Sequence, residues 1–264
     1  MLDANLPIRS QQRAVGQIPV TAPCAPAGKP PVLLILHQEN SNPGHVGQWF
    51  VRNGYPLDIR KPRFGDRLPT TLSEHCGCVI FGGPMSANDK DDFVRTEIDW
   101  INVPLREAKP FLGICLGAQL LTNTLGGQVG FHPEAEVEIG YYPLITTEPG
   151  RALGVFPDYV YEWHREGFAL PAGARLIATS EGAFPNQAFS YGPAAVAVQF
   201  HPEITYAQVH RWAGHNPQRL ELKGARPRQQ HIDGHVSYAP NVHTWLDRFL
   251  RRWLAADLAI PAAP

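Results

Sequence analysis

Between Pro110 and Gln119 the chain reads Pro-Phe-Leu-Gly-Ile-Cys-Leu-Gly-Ala-Gln. Its centre, Gly113-Ile114-Cys115-Leu116-Gly117, has the spacing of a nucleophile held between two glycines on a strand-to-helix turn, with cysteine in the place of serine. The glycines supply room, because side chains two residues to either side of a strained nucleophile would meet neighbouring backbone. Such a turn projects the thiol at the carboxyl end of a sheet, where open α/β folds bind ligands. It also sets the thiol at a helix N-terminus, whose partial positive charge favours thiolate over thiol. The N–H of Leu116, just after the nucleophile, faces the same space and is suited to hold an oxyanion. On this spacing alone a buried structural cysteine on a tight turn remains the alternative.

A cysteine nucleophile needs a base, and His201 in Val198-Gln199-Phe200-His201-Pro202-Glu203 stands at the end of an apolar run. Residues i and i+2 of an extended chain share a face, so Glu203 is placed to accept the other ring N–H of His201 and fix its orientation. The tripeptide alone says little, since His132-Pro133-Glu134 repeats it. That copy follows no apolar strand and reads as loop. Phe81-Gly82-Gly83-Pro84 offers a third element: two glycines let backbone approach a ligand, and an N–H from this turn could complete an oxyanion hole. A plain turn is the other reading.

The elements that must carry these residues follow from apolar patterning. Val32 to Leu36 is a continuous apolar run suited to a central strand covered on both faces. A helix with Val46, Trp49 and Phe50 on one face follows, stopping at Asn53-Gly54. Strands are predicted over Tyr55 to Lys61, Cys78 to Phe81, Phe111 to Ile114 and Ala194 to Phe200. A helix carries Val94, Ile98, Ile101 and Leu105 on one stripe, to be broken or kinked by Pro104. Another runs from Leu116 to Leu125 and closes at Gly126-Gly127. Short connections between alternating strands and helices imply an α/β fold, an open and mostly parallel sheet with helices on both faces. Antiparallel pieces are expected at Val137 to Ile145, and a surface loop over Asn216 to Pro240. The periodic Val242, Trp245, Leu246, Phe249, Leu250, Trp253 and Leu254 predict a closing amphipathic helix capped by Asn241.

Composition narrows the class. Apolar residues are 44% and charged residues 18% of the 264, as in an ordinary globular chain. Lys plus Arg is 23 against 24 for Asp plus Glu, which gives no bulk charge for nucleic acid. No window approaches the roughly 18 apolar residues of a membrane helix. Residues 1–30, with Pro7, Pro19, Pro23, Pro26 and Pro30, read as a flexible Pro/Ala-rich extension, and 31–264 as a single domain. Cys24, Cys76, Cys78 and Cys115 form no disulfide framework, so a cytoplasmic setting is expected. Cys76 and Cys78 run into an apolar strand and read as core, not as zinc ligands. His231 and His235, four apart, could share a helix face as a metal pair, but no third ligand accompanies them and a polar loop is expected. Trp245, Phe249 and Trp253 read as core, not as a stacking platform for bases.

Gly82-Gly83-Pro84, the segment around Cys115, and Gln199-Phe200-His201-Pro202-Glu203, in this order, resemble the class I (triad) glutamine amidotransferases. The likeness is greatest to stand-alone proteins similar to the amidotransferase domain of GMP synthase, and it runs from about Val32 to Arg211. The resemblance implies a flavodoxin-like sheet with a small antiparallel portion. Cys115 would form a γ-glutamyl thioester, His201 would move the protons, and Glu203 would orient His201. The backbone N–H groups of Gly83 and Leu116 would hold the oxyanion, and Gln119 and His164 would line the glutamine pocket. No metal or organic cofactor is implied. Relatives often show His-Gly-Asp near that pocket, whereas this chain has His164-Arg165-Glu166, a bulkier charged pair. No P-loop appears in the 264 residues, so either ammonia would pass to a separate synthetase subunit or the substrate is not free glutamine. The rival readings are a γ-glutamyl hydrolase acting on peptide or amine conjugates and a non-enzymatic regulator that keeps the fold.

Overall fold

The structure is a computed structural model and describes residues 28–255 apart from Asn216. Nearly all of the Pro-rich extension, Cys24 included, lies outside the described residues. Five strands form the parallel part of the sheet: β1 (Val32–Ile35), β2 (Leu57–Arg60), β3 (Gly77–Ile80), β4 (Phe111–Ile114) and, late in the chain, β12 (Ala195–Val198). Between them run α1 (Gly44–Arg52) after β1, α2 (Asp92–Trp100) and α3 (Asn102–Arg106) after β3, and α4 (Leu116–Thr124) after β4. The middle of the chain supplies β5 (Val129–Phe131), β6 (Glu138–Pro143), β7 (Ile145–Thr146), the single turn α5 (Glu148–Arg151), β8 (Tyr159–His164), β9 (Glu166–Phe168), β10 (Arg175–Thr179) and β11 (Asn186–Tyr191). After β12 come α6 (Tyr206–His215), a 3-10 turn at Pro217–Glu221 and α7 (Arg228–Leu254).

The main sheet has the order β2-β1-β3-β4-β12-β11-β10-β7. Its first five strands are parallel, and β11, β10 and β7 add antiparallel strands at one edge. Two small antiparallel ribbons, β5 with β9 and β6 with β8, stand beside it. The sheet is covered twice, as the continuous apolar strands require. Val32 and Leu34 point with Val79, Leu112 and Val198 into a core with Trp49 and Phe50 of α1 and Trp245, Phe249 and Trp253 of α7. Leu33 and Ile35, one residue out of phase, face Val94 of α2, Val103 of α3 and Leu120 of α4 on the opposite side.

Several boundaries differ from the sequence expectation. The helix across Val94 and Leu105 breaks at Ile101, three residues before Pro104. Pro104 sits in the first turn of α3, where a missing N–H loses no helical hydrogen bond. The expected loop over Asn216 to Pro240 and the cap at Asn241 are both corrected: α7 begins at Arg228, so Asn241 lies in its middle. Pro240 is tolerated there because it lies on the exposed face, where the carbonyl it leaves unpaired stays in water. The buried face of the first half of α7 is built from His231, Gly234, His235 and Ala239. That stripe has helical period without apolar character. His231 Nδ1 meets the hydroxyl of Tyr161 at 3.0 Å and its Nε2 the carbonyl of Arg226 at 2.9 Å, while His235 Nδ1 meets Tyr141 at 2.9 Å. These two histidines therefore dock α7 on β6 and β8.

Candidate active site

The sheet order reverses between β1 and β3, and at such a switch point the chains leaving neighbouring strands diverge and open a crevice. A cavity of about 350 Å³ lies there, walled by Leu36 beyond β1, Gly82 and Gly83 beyond β3, Cys115 beyond β4 and His201 beyond β12. Its remaining walls include Gln119, His164 and Glu203. Six of the seven residues named from the sequence thus border one cavity. Leu116 sits directly behind it, its side chain 2.9 Å from the position a Cβ on Gly83 would occupy.

Cys115 occupies the residue between β4 and α4 with φ 50° and ψ −104°, a left-handed conformation that costs a non-glycine residue energy. The surroundings hold it there. Its N–H donates to the carbonyl of Val198 at 2.8 Å, which ties the turn to β12. A Cβ on Gly117 would lie 2.1 Å from the carbonyl oxygen of Ile80, and one on Gly113 would lie 2.6 Å from the Gly117 carbonyl group. Both glycines are thus required by backbone packing, and the turn carries the sulfur into the cavity. Leu116 is the first residue of α4, so its N–H has no acceptor within the helix and faces forward.

His201 lies beyond β12, which ends at Val198 rather than at Phe200. The pairing of His201 with Glu203 therefore arises from a turn, not from strand alternation. Glu203 Oε1 accepts from His201 Nδ1 at 2.8 Å, with both side chains buried. The N–H of His201 donates to Tyr161 of β8 at 2.8 Å, and the Glu203 carbonyl accepts from His45 in α1 at 2.8 Å, so two elements pin the turn. Trp212 of α6 packs edge-on against the imidazole at 5.0 Å. Burial opposes charge on this ring, but the Glu203 carboxylate and then the neighbouring Cys115 sulfur outweigh it. His201 is thereby held well above the ordinary imidazole range. Gly82 leaves the ring its place, since a Cβ there would stand 2.7 Å from His201 Cε1 and 3.4 Å from Cys115 Cβ.

Gln119 is buried one helical turn beyond Cys115, and its amide nitrogen donates to the Glu166 carbonyl at 2.8 Å. His164 presents its ring to the cavity while both nitrogens face elsewhere. Nδ1 donates to the Glu166 carbonyl at 3.0 Å, and Nε2 lies 3.3 Å from Glu138 and 3.1 Å from Glu162. Burial disfavours the imidazolium, but the two carboxylates raise the pKa of His164 to about 10. Burial pushes Glu162 up to about 7. Glu138, Glu162 and His164 form the one grouping with metal-like spacing among the described residues. Cys78 is buried and Cys76 half-buried at the start of β3, and burial raises both thiols, Cys76 to about 11.

Some of the supporting residues carry no motif. His37, just past β1, faces the Gly82 carbonyl at 3.1 Å and Glu97 of α2 at 2.9 Å, both side chains fully buried. The glycine turn is thus anchored from beneath by a polar pair. Its only sequence signal is a glutamate three residues after Val94, on the apolar stripe of α2. Glu166 accepts from the hydroxyl of Ser86 at 2.9 Å and is buried, whereas neighbouring Arg165 is exposed and lies over the Phe131 ring.

A five-stranded parallel sheet in the order 2-1-3-4-12, with its cleft at the strands' carboxyl ends, is the flavodoxin-like architecture of the class I glutamine amidotransferases. Residues 48–213 match the family described as glutamine amidotransferase class-I, and the chain belongs to it. It is 31% identical over 206 residues, 74% of this chain and 85% of the relative, to the glutamine amidotransferase-like protein YfeJ of Salmonella typhimurium. It is 33% identical over 169 residues, 62% of this chain and 87% of the relative, to a glutamine-hydrolyzing GMP synthase subunit of Sulfurisphaera tokodaii. The crystal structure of a glutamine amido transferase from Methylobacillus flagellatus superposes with a TM-score of 0.79 at 26% identity, covering 89% of this chain and 97% of that one.

Proposed function

We propose that this chain hydrolyses the side-chain amide of glutamine through a thioester on Cys115. The observation that carries the reading is the convergence, in one cavity, of a strained cysteine at a helix N-terminus and a buried imidazole hydrogen-bonded to a glutamate. In this mechanism His201 takes the thiol proton and Sγ attacks the amide carbon. The oxyanion is held by the N–H groups of Leu116 and Gly83, and His201 returns the proton to the departing ammonia. Water, deprotonated by His201, then cleaves the thioester to glutamate. Glu203 keeps the ring in register and charged while the thiolate is free. Gln119 and His164 shape the wall that holds the glutamyl unit. The chemistry calls on no cofactor.

Ammonia from this site passes to an acceptor on a separate synthetase subunit. The likeness to a protein named as a subunit of GMP synthase supports that division of labour. No described helix is long and apolar enough to cross a membrane, and we place the protein in the cytoplasm. Purified protein incubated with glutamine should release glutamate and ammonia in equal amounts, and Cys115→Ala should release neither. Wild-type protein that stays silent toward glutamine, and whose Cys115 is not labelled by a glutamine-like electrophile, would remove the reading.

A further inference from the structure

Three arginines border the same cavity: Arg165 between β8 and β9, Arg211 on α6, and Arg219 on the 3-10 turn after it. None of them forms an ion pair among the described residues, where arginine and lysine partners lie elsewhere. The two carboxylates that share the cavity are engaged, Glu203 by His201 and Glu166 by Ser86. Arg219 is half-buried, and Arg165 and Arg211 are exposed at the mouth. Burial, then the charge of Arg165, lowers the pKa of Arg219, while the Cys115 sulfur opposes that shift. Arginines that line one cavity without a carboxylate partner among the described residues leave it a positive wall, and an anion bound there would be stabilised by them.

Glutamine hydrolysis releases ammonia, which gives these cations nothing to hold on the departing side. We propose that Arg219 and Arg165 form a carboxylate-binding rim for the amine portion of a γ-glutamyl amide, such as a γ-glutamyl amino acid. The inference rests on the thioester reading of Cys115. Sγ bonds to the γ-carbonyl carbon, the C–N bond breaks, and the amine departs with the proton that His201 delivers. Water then releases glutamate, and the arginines act by holding the departing amine's carboxylate until that bond has broken.

The test compares γ-glutamylglycine with γ-glutamylmethylamide, which differ in the distal carboxylate, and uses glutamine as reference. Wild-type protein should favour γ-glutamylglycine over the methylamide by about ten- to a hundredfold in kcat/KM, the range of charge-assisted hydrogen bonds. The ratio should collapse toward one in Arg219→Gln/Arg165→Gln and recover in part in Arg219→Lys. Labelling of Cys115 by a glutamine-like electrophile in each variant reports an assembled site. A wild-type ratio near one, or a ratio that survives in the labelled double variant, overturns the rim while leaving glutamine hydrolysis standing. Absence of turnover on all three amides, with Cys115 unlabelled, removes the thioester reading and the rim with it.

Discussion

Gly82→Ala places one methyl group between the two side chains assigned to the chemistry. The new Cβ would stand 2.7 Å from His201 Cε1, against 3.4 Å for the nearer limit of ordinary contact, so the ring must retreat by about 0.7 Å. It has little room to do so. Glu203 holds Nδ1 at 2.8 Å, Trp212 packs on the ring at 5.0 Å, and the side chain is buried. The backbone at residue 82 is not left-handed, so alanine adds no torsional strain of its own. Overpacking of this size costs about 1–3 kcal/mol of stability, too little to unfold an ordinary domain. A displacement of nearly an ångström at reacting groups costs about a hundredfold in rate. Ammonia release from glutamine should therefore fall about a hundredfold in kcat while urea unfolding shifts by only a few kcal/mol. A Gly82→Ala protein that retains kcat/KM within about twofold would show that turnover does not depend on the embedded position of His201.

Other expectations arise from the same geometry. A glutamine-like electrophile should modify Cys115 at neutral pH and leave Cys76 and Cys78 untouched, because burial raises the latter two thiols; peptide mass mapping decides this. Glu203→Gln removes a carboxylate that keeps His201 charged, so the alkaline limb of the kcat/KM profile should move to lower pH and the rate should drop about 10²–10⁴-fold. Glu138→Gln leaves the imidazolium of His164 with one carboxylate in a buried site and should cost about 3–5 kcal/mol in denaturant unfolding. His45, half-buried on α1, and His235, buried on α7, are lowered to about 4 by burial and by repulsion from His243. Their folded pKa values lie below the unfolded one, so the native state binds fewer protons. Stability should then fall as pH drops from about 6.5 to 4, by about 1 kcal/mol per histidine after solvent screening, and His45→Gln should flatten that decline.

The inner strands of the parallel half were legible because they are buried on both faces and must be apolar throughout, as Val32 to Ile35 and Phe111 to Ile114 are, whereas the edge strand Leu57–Arg60 is mixed and only partly buried. The elbow was legible because Gly113 and Gly117 are fixed by backbone collisions that admit no side chain. The first half of α7 was not. Its buried stripe is made of histidine, glycine and alanine, whose polar atoms are satisfied by Tyr141, Tyr161 and the Arg226 carbonyl, so apolar periodicity begins only at Val242. Asn241 after Pro240 then imitates a helix start. The polar pairs under the site were equally silent. His37 with Glu97, and His164 with Glu138, join residues far apart in the chain, and nothing in the spacing of either partner announces the other.

The link between Cys115 and His201 depends on topology more than on either motif. Eighty-six residues separate them in sequence, yet β4 and β12 are adjacent and parallel, with Ile114 opposite Val198. Parallel neighbours send their chains out of the sheet at the same end, so the turn leaving β12 must enter the crevice that already holds the elbow leaving β4. The hydrogen bond from Cys115 to Val198 fixes that register, and a slip of one residue would turn every side chain of β12 to the opposite face. Strands β11 and β10 extend the sheet beyond β12, which keeps β12 away from an edge where such a slip would be cheap. Strands β11 and β10 thus hold His201 at the cavity that Cys115 lines, although none of their own residues borders it. Substitutions that weaken the β11–β12 pairing should lower activity before they unfold the domain.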